Sequence, residues 1–409
     1  MEQWKKYQLK DVTTLLGDGL HGTPKYDKNG TVFFINGNNL VDGKIEIKDS
    51  TKRVSEDEAN KYRKNLNHRT ILVSINGTIG NVAKYQGEAC ILGKSACYFN
   101  VAEDFDLNFI YYVVASQQFK NSIIHLATGT TIKNVSLETM RNYSFVAPSI
   151  NEQKRISSLL SSLDNKIDLN RRINDNLEQQ AQALFKSWFV DFEPFKDGKF
   201  VESELGIIPK GWRVGKAEDF YYINIGKTPP RKEQVWFSSN SSDYIWVSIS
   251  DLGSCGRFVF TSSEFLTHEA IKRHNIILVP KDTILLSFKL TIGRVGIAGT
   301  ELTTNEAIAR FITSDENREY TYFLLKGYNY EKLGSTSSIA TAVNSKIIKA
   351  MVVLMPDKEI LKAFSSLAKP YFDQILRNEQ ESIRLTILRD TLLPKLMSGE
   401  LKINATEVL

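Results

Sequence analysis

The sequence predicts an α+β chain built twice over: two globular domains related by a pseudo-twofold axis, separated by two long antiparallel helices that pair as a coiled coil. Three observations predict it. A block reading Thr70-Ile71-Leu72-Val73-Ser74, Thr78-Ile79-Gly80 and Val82 returns as Thr283-Ile284-Leu285-Leu286-Ser287, Thr291-Ile292-Gly293 and Val295, at a constant offset of 213 residues. That period far exceeds the ~20–50 residues of a solenoid repeat and fits a whole domain with its linker. Each copy is followed by a long stretch with apolar residues at alternating four and three spacing, the mark of a paired helix.

The duplication extends along the chain. Tyr7-x-Leu9 and Thr23-Pro24 answer Trp212-x-Val214 and Thr228-Pro229 at offset 205. Phe34-Ile35 and Leu40 answer Trp246-Val247 and Leu252 at offset 212, and Val135 and Pro148 answer Val343 and Pro356 at offset 208. The drift places length changes in loops and leaves the framework constant.

Residues 1–150 form the first α+β domain. Thr31–Ile35 and Thr70–Ile75 are β-branched or aromatic runs ending in Asn36-Gly37 and Asn76-Gly77, which predicts strands followed by turns. A helical stretch follows over 107–125. Residues 151–193 form the first long helix; 152–190 contain neither Gly nor Pro. Its seam is Ile156, Leu160, Leu163, Ile167, Asn170, Asn174, Leu177, Ala181, Leu184 and Trp188. At ~1.5 Å per residue it is roughly 57 Å long, and Asp191-Phe192-Glu193-Pro194 ends it. A linker covers 194–210, the second α+β domain 211–356 and the second long helix 357–402. The second seam is Leu361, Phe364, Ala368, Tyr371, Ile375, Asn378, Ser382, Leu385, Arg389, Leu392 and Leu396, and at offset 208 the two seams register.

Both seams turn polar at the centre. Helices related by a perpendicular twofold lie antiparallel with their midpoints together, which brings Asn170, Asn174, Asn378 and Ser382 to one place. Two readings stand there. A buried polar layer fixes register at a cost in stability; alternatively these positions face solvent where the seam drifts.

Composition excludes several classes. A length of 409 residues fits two or three domains, and 42% hydrophobic content is ordinary for a globular chain. The net charge of +5 and pI near 8.8 suit a nucleic-acid partner without requiring one. Three cysteines without a CxxC argue against a disulfide framework or zinc site and for reduced thiols in a cytoplasm. The start lacks a signal-peptide pattern, and no apolar run approaches the ~18 residues that span a bilayer, so no membrane partner is expected.

Catalytic motifs are absent on inspection. Gly17-x-Gly19-x-x-Gly22 has dinucleotide-fingerprint spacing, but Thr23-Pro24 follows where a helix would have to open. Gly93-Lys94-Ser95 has its upstream glycine, Gly87, one residue too far for a phosphate loop, and Glu306 stands opposite Lys94 in the second copy. Pro356-Asp357 with Glu400-x-Lys402 puts carboxylates at opposite ends of one long helix, where they cannot share a metal. Five histidines are scattered, with only His268 and His274 near ligand spacing. The expectation is a chain without catalytic, cofactor-binding or metal-binding residues.

Four segments carry further information: Ala147-Pro148 with Glu152-Gln153-x-x-Ile156, Ala183-Leu184-Phe185-Lys186-Ser187-Trp188-Phe189, Gly206-Ile207-Ile208-Pro209-Lys210-Gly211-Trp212, and Leu392-Leu393-Pro394-Lys395-Leu396-Met397-Ser398-Gly399-Glu400-Leu401. With the repeated Thr-Ile-Gly blocks, they resemble the specificity subunits of type I restriction–modification systems. The order of domain, helix, domain, helix covers essentially the whole chain. One departure is Leu290, which stands where the first copy has Gly77 and implies a differently built second loop. The resemblance implies two target recognition domains, each reading half of a split, asymmetric site on double-stranded DNA through the major groove. It implies helices that act as a ruler suited to half-sites about one DNA turn (~34 Å) apart or slightly more. It also implies partners: two modification subunits methylating adenine N6 with S-adenosylmethionine, and restriction subunits using ATP and Mg2+. A stand-alone sequence-specific DNA-binding protein is the alternative.

Bases are read by hydrogen-bonding side chains on loops. The candidates are Lys25, Asn36, Asn38, Asn39, Lys94 and Lys133 in the first domain, and Arg231, Ser248, Ser250, Lys289, Arg294 and Asn344 in the second; each also reads as an ordinary solvated side chain. Phe185, Trp188, Phe189, Leu392 and Leu396 at the helix ends are the candidate docking residues for partner subunits, if they are exposed.

Overall fold

The computed structural model describes residues 4–129, 133–333 and 343–403. The chain divides into two units, Met1–Ile167 with Arg384–Leu409, and Asp168–Ile383. Each unit joins one globular domain to part of both long helices.

In the first unit, Thr13–Asp18, Ala96–Val101, Thr70–Ser74 and Val82–Lys84 form an antiparallel sheet in that order. Beside it, Val32–Ile35 pairs antiparallel with Arg53–Val54 and parallel with Cys90–Leu92. The second unit repeats the plan. Tyr222–Ile225, Ile308–Ile312, Ile284–Ser287, Val295–Ala298 and Phe258–Val259 make one sheet; Phe237–Ser238, Phe265–Leu266, Tyr244–Val247 and Thr303–Thr304 make the other. The first and last strands of each domain close on one another: Lys5–Gln8 with Ser144–Ala147, and Arg213–Lys216 with Val352–Met355. That closure returns the chain to its entry point, from which the long helix departs.

Three local expectations are refined. The turn expected at Asn36-Gly37 is a short 3-10 turn, Gly37–Asn39. The 107–125 stretch is two helices, Leu107–Ala115 and Gln117–His125, because Ser116 is extended and its side chain caps the second by accepting from Phe119. The 194–210 linker contains a two-stranded hairpin, Phe200–Ser203 with Gly206–Pro209.

The long helices run Ile150–Phe189 and Lys358–Met397. Every seam position is buried or half-buried. Within each unit the helix segments are antiparallel. Ile156 and Leu160 share a core with Leu392 and Leu396, while Arg389 Nη1 meets Asp164 Oδ1 at 2.7 Å. In the second unit Phe185 and Phe189 pack on Phe364, and Asn174 meets Asn378. No helix among the described residues is long and apolar enough to cross a membrane. The three cysteines are unpaired, and burial pushes the Cys90 and Cys255 thiols up to about 12.

The motif segments have packing reasons. Gln153, 2% exposed, donates to the Pro148 carbonyl at 2.9 Å and accepts from Asp106 N–H at 3.0 Å, tying the helix start to the domain. Gly211 has φ +101°, and a Cβ there would meet Asp357 at 3.0 Å. Gly399, at φ +75°, closes the second helix against the Trp4 ring.

Candidate nucleic-acid interface

The repeated Thr-Ile-Gly block is a clamped loop. In the first unit Ser74 Oγ bonds the Thr78 carbonyl and accepts from Asn81 N–H at 3.0 Å, while Gly80 N–H donates to the Ser74 carbonyl at 2.9 Å. In the second, Ser287 Oγ donates to the Thr291 carbonyl at 2.6 Å and accepts from Arg294 N–H at 3.0 Å, while Gly293 N–H reaches the Ser287 carbonyl at 3.0 Å. Gly80 and Gly293 have φ +88° and +89°; Gly77 and Leu290 have φ +73° and +58°. The expectation that Leu290 forces a different loop is therefore corrected. The turn is the same, and Leu290 adopts the left-handed conformation at a cost on the order of 1 kcal/mol. Its side chain is 99% exposed.

In the first unit this loop lies among others at the same strand ends. Ser95 Oγ accepts from Gly37 N–H and donates to Asn36 Oδ1, both at 2.9 Å, and Ile75 N–H donates to the Ser95 carbonyl at 2.9 Å. Asn76 Nδ2 donates to Asn134 Oδ1 at 3.2 Å. Segments 36–39, 74–81, 93–95 and 133–134 thus share one edge. Asn38, Lys94 and Lys133 are exposed on it. Lys25 is also exposed, its N–H held at 2.8 Å by Glu58 Oε1; that bond and the Lys61 ion pair hold the Glu58 carboxyl below its usual range. Asn36 is half-buried and serves the Ser95 contact. Asn39 is corrected: at 4% exposure its Oδ1 accepts from Asn36 N–H and its Nδ2 donates to the Glu46 carbonyl and Thr51 Oγ1, so it builds the loop and has no group left for a base.

The second unit gathers the equivalent segments. Lys227 N–H reaches the Thr304 carbonyl at 2.9 Å, Asn305 N–H the Val247 carbonyl at 3.0 Å and Phe288 N–H the Ala307 carbonyl at 2.9 Å. Ser250 and Lys289 are exposed. The other candidates are engaged within the fold. Ser248 caps helix Ile249–Ser254, and Arg294 Nη1 donates to the Ile249 carbonyl at 2.7 Å, which ties that helix to the clamped loop. Arg231 makes two 2.8 Å bonds to Glu264 and lies over the Phe237 and Trp246 rings. Asn344 caps helix Ser345–Lys349. The clamp serines Ser74 and Ser287 were not singled out in the sequence; their recurrence at the duplication offset was the available signal.

The polar step of the helices is buried in the second unit. Asn170, Asn174 and Asn378 are 0%, 3% and 5% exposed. Asn170 Nδ2 donates to Glu381 Oε2 at 2.8 Å, with the Asn378 carbonyl and Ser382 Oγ at 3.3 Å, and Asn378 Nδ2 donates to Asn174 Oδ1 at 2.8 Å. Asn170 Oδ1 has no partner. The solvent-facing reading of these positions does not describe them.

The helix-end docking residues are also corrected. Phe189 and Leu396 are 5% and 0% exposed, and Phe185, Trp188 and Leu392 are half-buried against the same cores. Trp212, Tyr320 and Phe364 cover Phe189 with ring centroids 4.7–5.7 Å away. The chain's own domains consume this apolar surface. The helices instead expose Ile387 at 61% and Leu388 at 45% in the first unit, and Leu367 at 48%, Leu169 at 41%, Ile383 at 39% and Ile173 at 37% in the second.

Comparison with known proteins gives a consistent result. The model of the type I restriction modification DNA specificity domain matches residues 1–179 and again 209–385. The MjaIX specificity subunit of Methanocaldococcus jannaschii is 30% identical over 306 residues, 72% of this chain and 69% of that protein. The HindI specificity subunit of Haemophilus influenzae is 26% identical, covering 66% and 72%. The crystal structure of a type I restriction–modification S subunit from M. genitalium matches with TM-score 0.55 at 18% identity, over 97% of this chain and 96% of that one, and shares the fold.

Proposed function

The chain belongs to the type I restriction–modification DNA specificity family, and on that premise we propose that it selects the DNA sequence on which partner enzymes act. The observation that carries this reading is the loop edge present in both domains: one clamped turn, built twice at the same strand ends, beside exposed lysines and uncharged polar side chains. Two such edges on one chain fit a bipartite, asymmetric site, one half for residues 1–150 and the other for 211–356, with the long helices setting their separation.

The lysines neutralise phosphates and place the loops, a salt-dependent contribution, while exposed amides and hydroxyls reach base edges. Lys25, Asn38, Lys94 and Lys133 are the contact residues of the first domain; Ser250 and Lys289 are those of the second. Asn36, Arg231, Ser248, Arg294 and Asn344 hold loops in position. The chain brings no chemistry of its own in this reading. Two modification subunits supply adenine-N6 methylation from S-adenosylmethionine, and restriction subunits supply ATP- and Mg2+-dependent cleavage. Exposed apolar helix residues available to them include Ile387 and Leu388 in the first unit and Leu169, Ile173 and Leu367 in the second.

Co-expression with a modification subunit from the same genome, followed by long-read mapping of N6-methyladenine, tests the proposal. The expected result is a split motif with one methylated adenine on each strand. A soluble complex that methylates no such motif would sink it. Tight, specific DNA binding by this chain without any complex would favour the stand-alone binder.

A further inference from the structure

Leu290 is the most exposed large apolar side chain among the described residues, at 99%. Exposure alone is unremarkable for one leucine. Its backbone is the second, independent observation. At φ +58° it occupies the conformation that the other copy gives to Gly77, where a Cβ would meet nothing within 4 Å. A glycine would therefore be easier for this turn, and the side chain contributes no packing to the fold. The turn is not loose: Ser287 Oγ ties Thr291 to Arg294, and Arg294 is bound in turn to the Ile249 carbonyl. A branched apolar group thus stands at the tip of a loop whose backbone is held, with exposed Lys289 and Thr291 on either side.

Resting on the reading of the chain as a DNA specificity subunit, we propose that Leu290 is a specificity-determining contact of the second domain, packing on the C5 methyl of a thymine in the half-site that domain reads. The thymine methyl is the apolar feature that a base edge offers, and it faces the major groove. A backbone already held in the turn makes that contact without further loss of loop freedom. The flanking Lys289 ammonium favours the phosphate-lined groove over an apolar protein surface. Gly77 leaves the first domain without such a tip, so the two half-sites differ in how they are read.

The test uses the chain assembled with its modification subunits and duplex DNA carrying the mapped motif. Thymines of each half-site are replaced one at a time by deoxyuridine, which removes only the methyl. Wild type is expected to lose roughly ten-fold in affinity at one position of the second domain's half-site, within the usual range for a single altered pair. Leu290→Gly is expected to lose a similar factor on the normal duplex, to become insensitive to that deoxyuridine, and to relax the methylated motif at that pair alone. Its assembly stays intact and its melting temperature is unchanged or higher, an outcome that a packing role would not give. Equal deoxyuridine sensitivity in both proteins overturns the proposal, as does loss of assembly with normal DNA recognition, which would make Leu290 a protein contact. Failure of the wild-type complex to methylate or bind any split motif overturns the functional reading itself, a result visible before any variant is made.

Discussion

The two units carry one framework and fasten it differently. Both close the first strand of the globular domain on the last, clamp the same turn with a serine, and seat the domain on antiparallel helix segments. In the first unit the helix seat is aliphatic, Ile156, Leu160, Leu392 and Leu396, with one compact polar link in which Tyr112 and Arg389 bind Asp164 at 2.6 and 2.7 Å. The second unit uses an aromatic cluster and a larger ionic hub. Arg257 binds Glu178 at 2.7 Å and Asp175 at 2.6 Å, Tyr322 donates to Glu178 at 2.5 Å, Lys326 adds an ion pair, and Glu379 receives the N–H groups of Arg257 and Phe258. After duplication, the turn and the central strand pairings stayed constant while the sheet edges and the seat diverged. The backbone frame is the shared requirement, and many packings satisfy it.

The largest expected effect tests the aromatic seat. Phe189→Ala removes a ring in contact with five others and should cost ~4 kcal/mol. In urea it lowers the midpoint of the transition reported by Trp188 and Trp212 without changing its slope. Leu396→Ala, the aliphatic counterpart, should cost ~3 kcal/mol. A larger loss for Leu396→Ala would reverse the ranking of the two seats.

The ionic hub comes next. Burial opposes the charge of Glu178, but hydrogen bonds from Lys326 and Tyr322 and the charge of Arg257 outweigh it and hold the carboxyl below its ordinary value of 4.5. A depressed carboxyl contributes stability that is present above its unfolded value and lost as pH falls through the folded one. Glu178→Gln should therefore cost ~2 kcal/mol near pH 7, and its deficit should shrink once the pH is taken below 4.5. A deficit that stays constant from pH 7 to pH 3 would mean that charge is not what the hub supplies.

The polar layer has a smaller effect on stability and a larger one on uniqueness. Asn170→Leu with Asn174→Leu removes buried amides, one of which already has an unpartnered oxygen, so the net change should stay within ~1 kcal/mol. Spin labels at Gln180 and Arg377 should then report more than one helix spacing. Unchanged stability together with a single unchanged spacing would remove the register role.

Much of this frame was legible in the sequence, for physical reasons. The duplication showed as a constant offset because strands and their turns tolerate no length change. The helices showed because a buried seam must repeat every three or four residues. Val32–Ile35 and Thr70–Ser74 showed as β-branched runs. Other features depend on partners far away in sequence. Asn39 reads as a free amide until the Glu46 carbonyl and Thr51 are folded around it. Phe189 and Leu396 read as apolar ends until a domain covers them. Leu290 read as a broken glycine position because the left-handed turn is imposed by Ser287 and Gly293, not by the residue itself.

The smallest expected effect concerns the centre of each sheet. Tyr98 lies between Gly17 and Leu72 in the first unit, and Arg310 between Asn224 and Leu285 in the second; Leu72 and Leu285 are duplicates. Gly17 leaves room for the tyrosine, since a Cβ there would stand 3.3 Å from its hydroxyl. Arg310 is 1% exposed, and burial pulls its guanidinium down to about 10. Bonds to the Ile277 and Ile225 carbonyls at 3.0 and 2.8 Å oppose it, each worth about 1.5–3 kcal/mol for a charged donor. Arg310 Nε and Asn224 Oδ1 remain unpartnered. Burial of the charge and these bonds oppose one another, and replacing a buried charge by well-packed neutral groups is often close to neutral, so transplanting the first unit's pair, Arg310→Tyr with Asn224→Gly, should move the unfolding free energy by no more than ~1 kcal/mol. A loss of several kcal/mol would show that the two carbonyls require the guanidinium, and that the sheets, unlike the clamped turns, are no longer interchangeable between the copies.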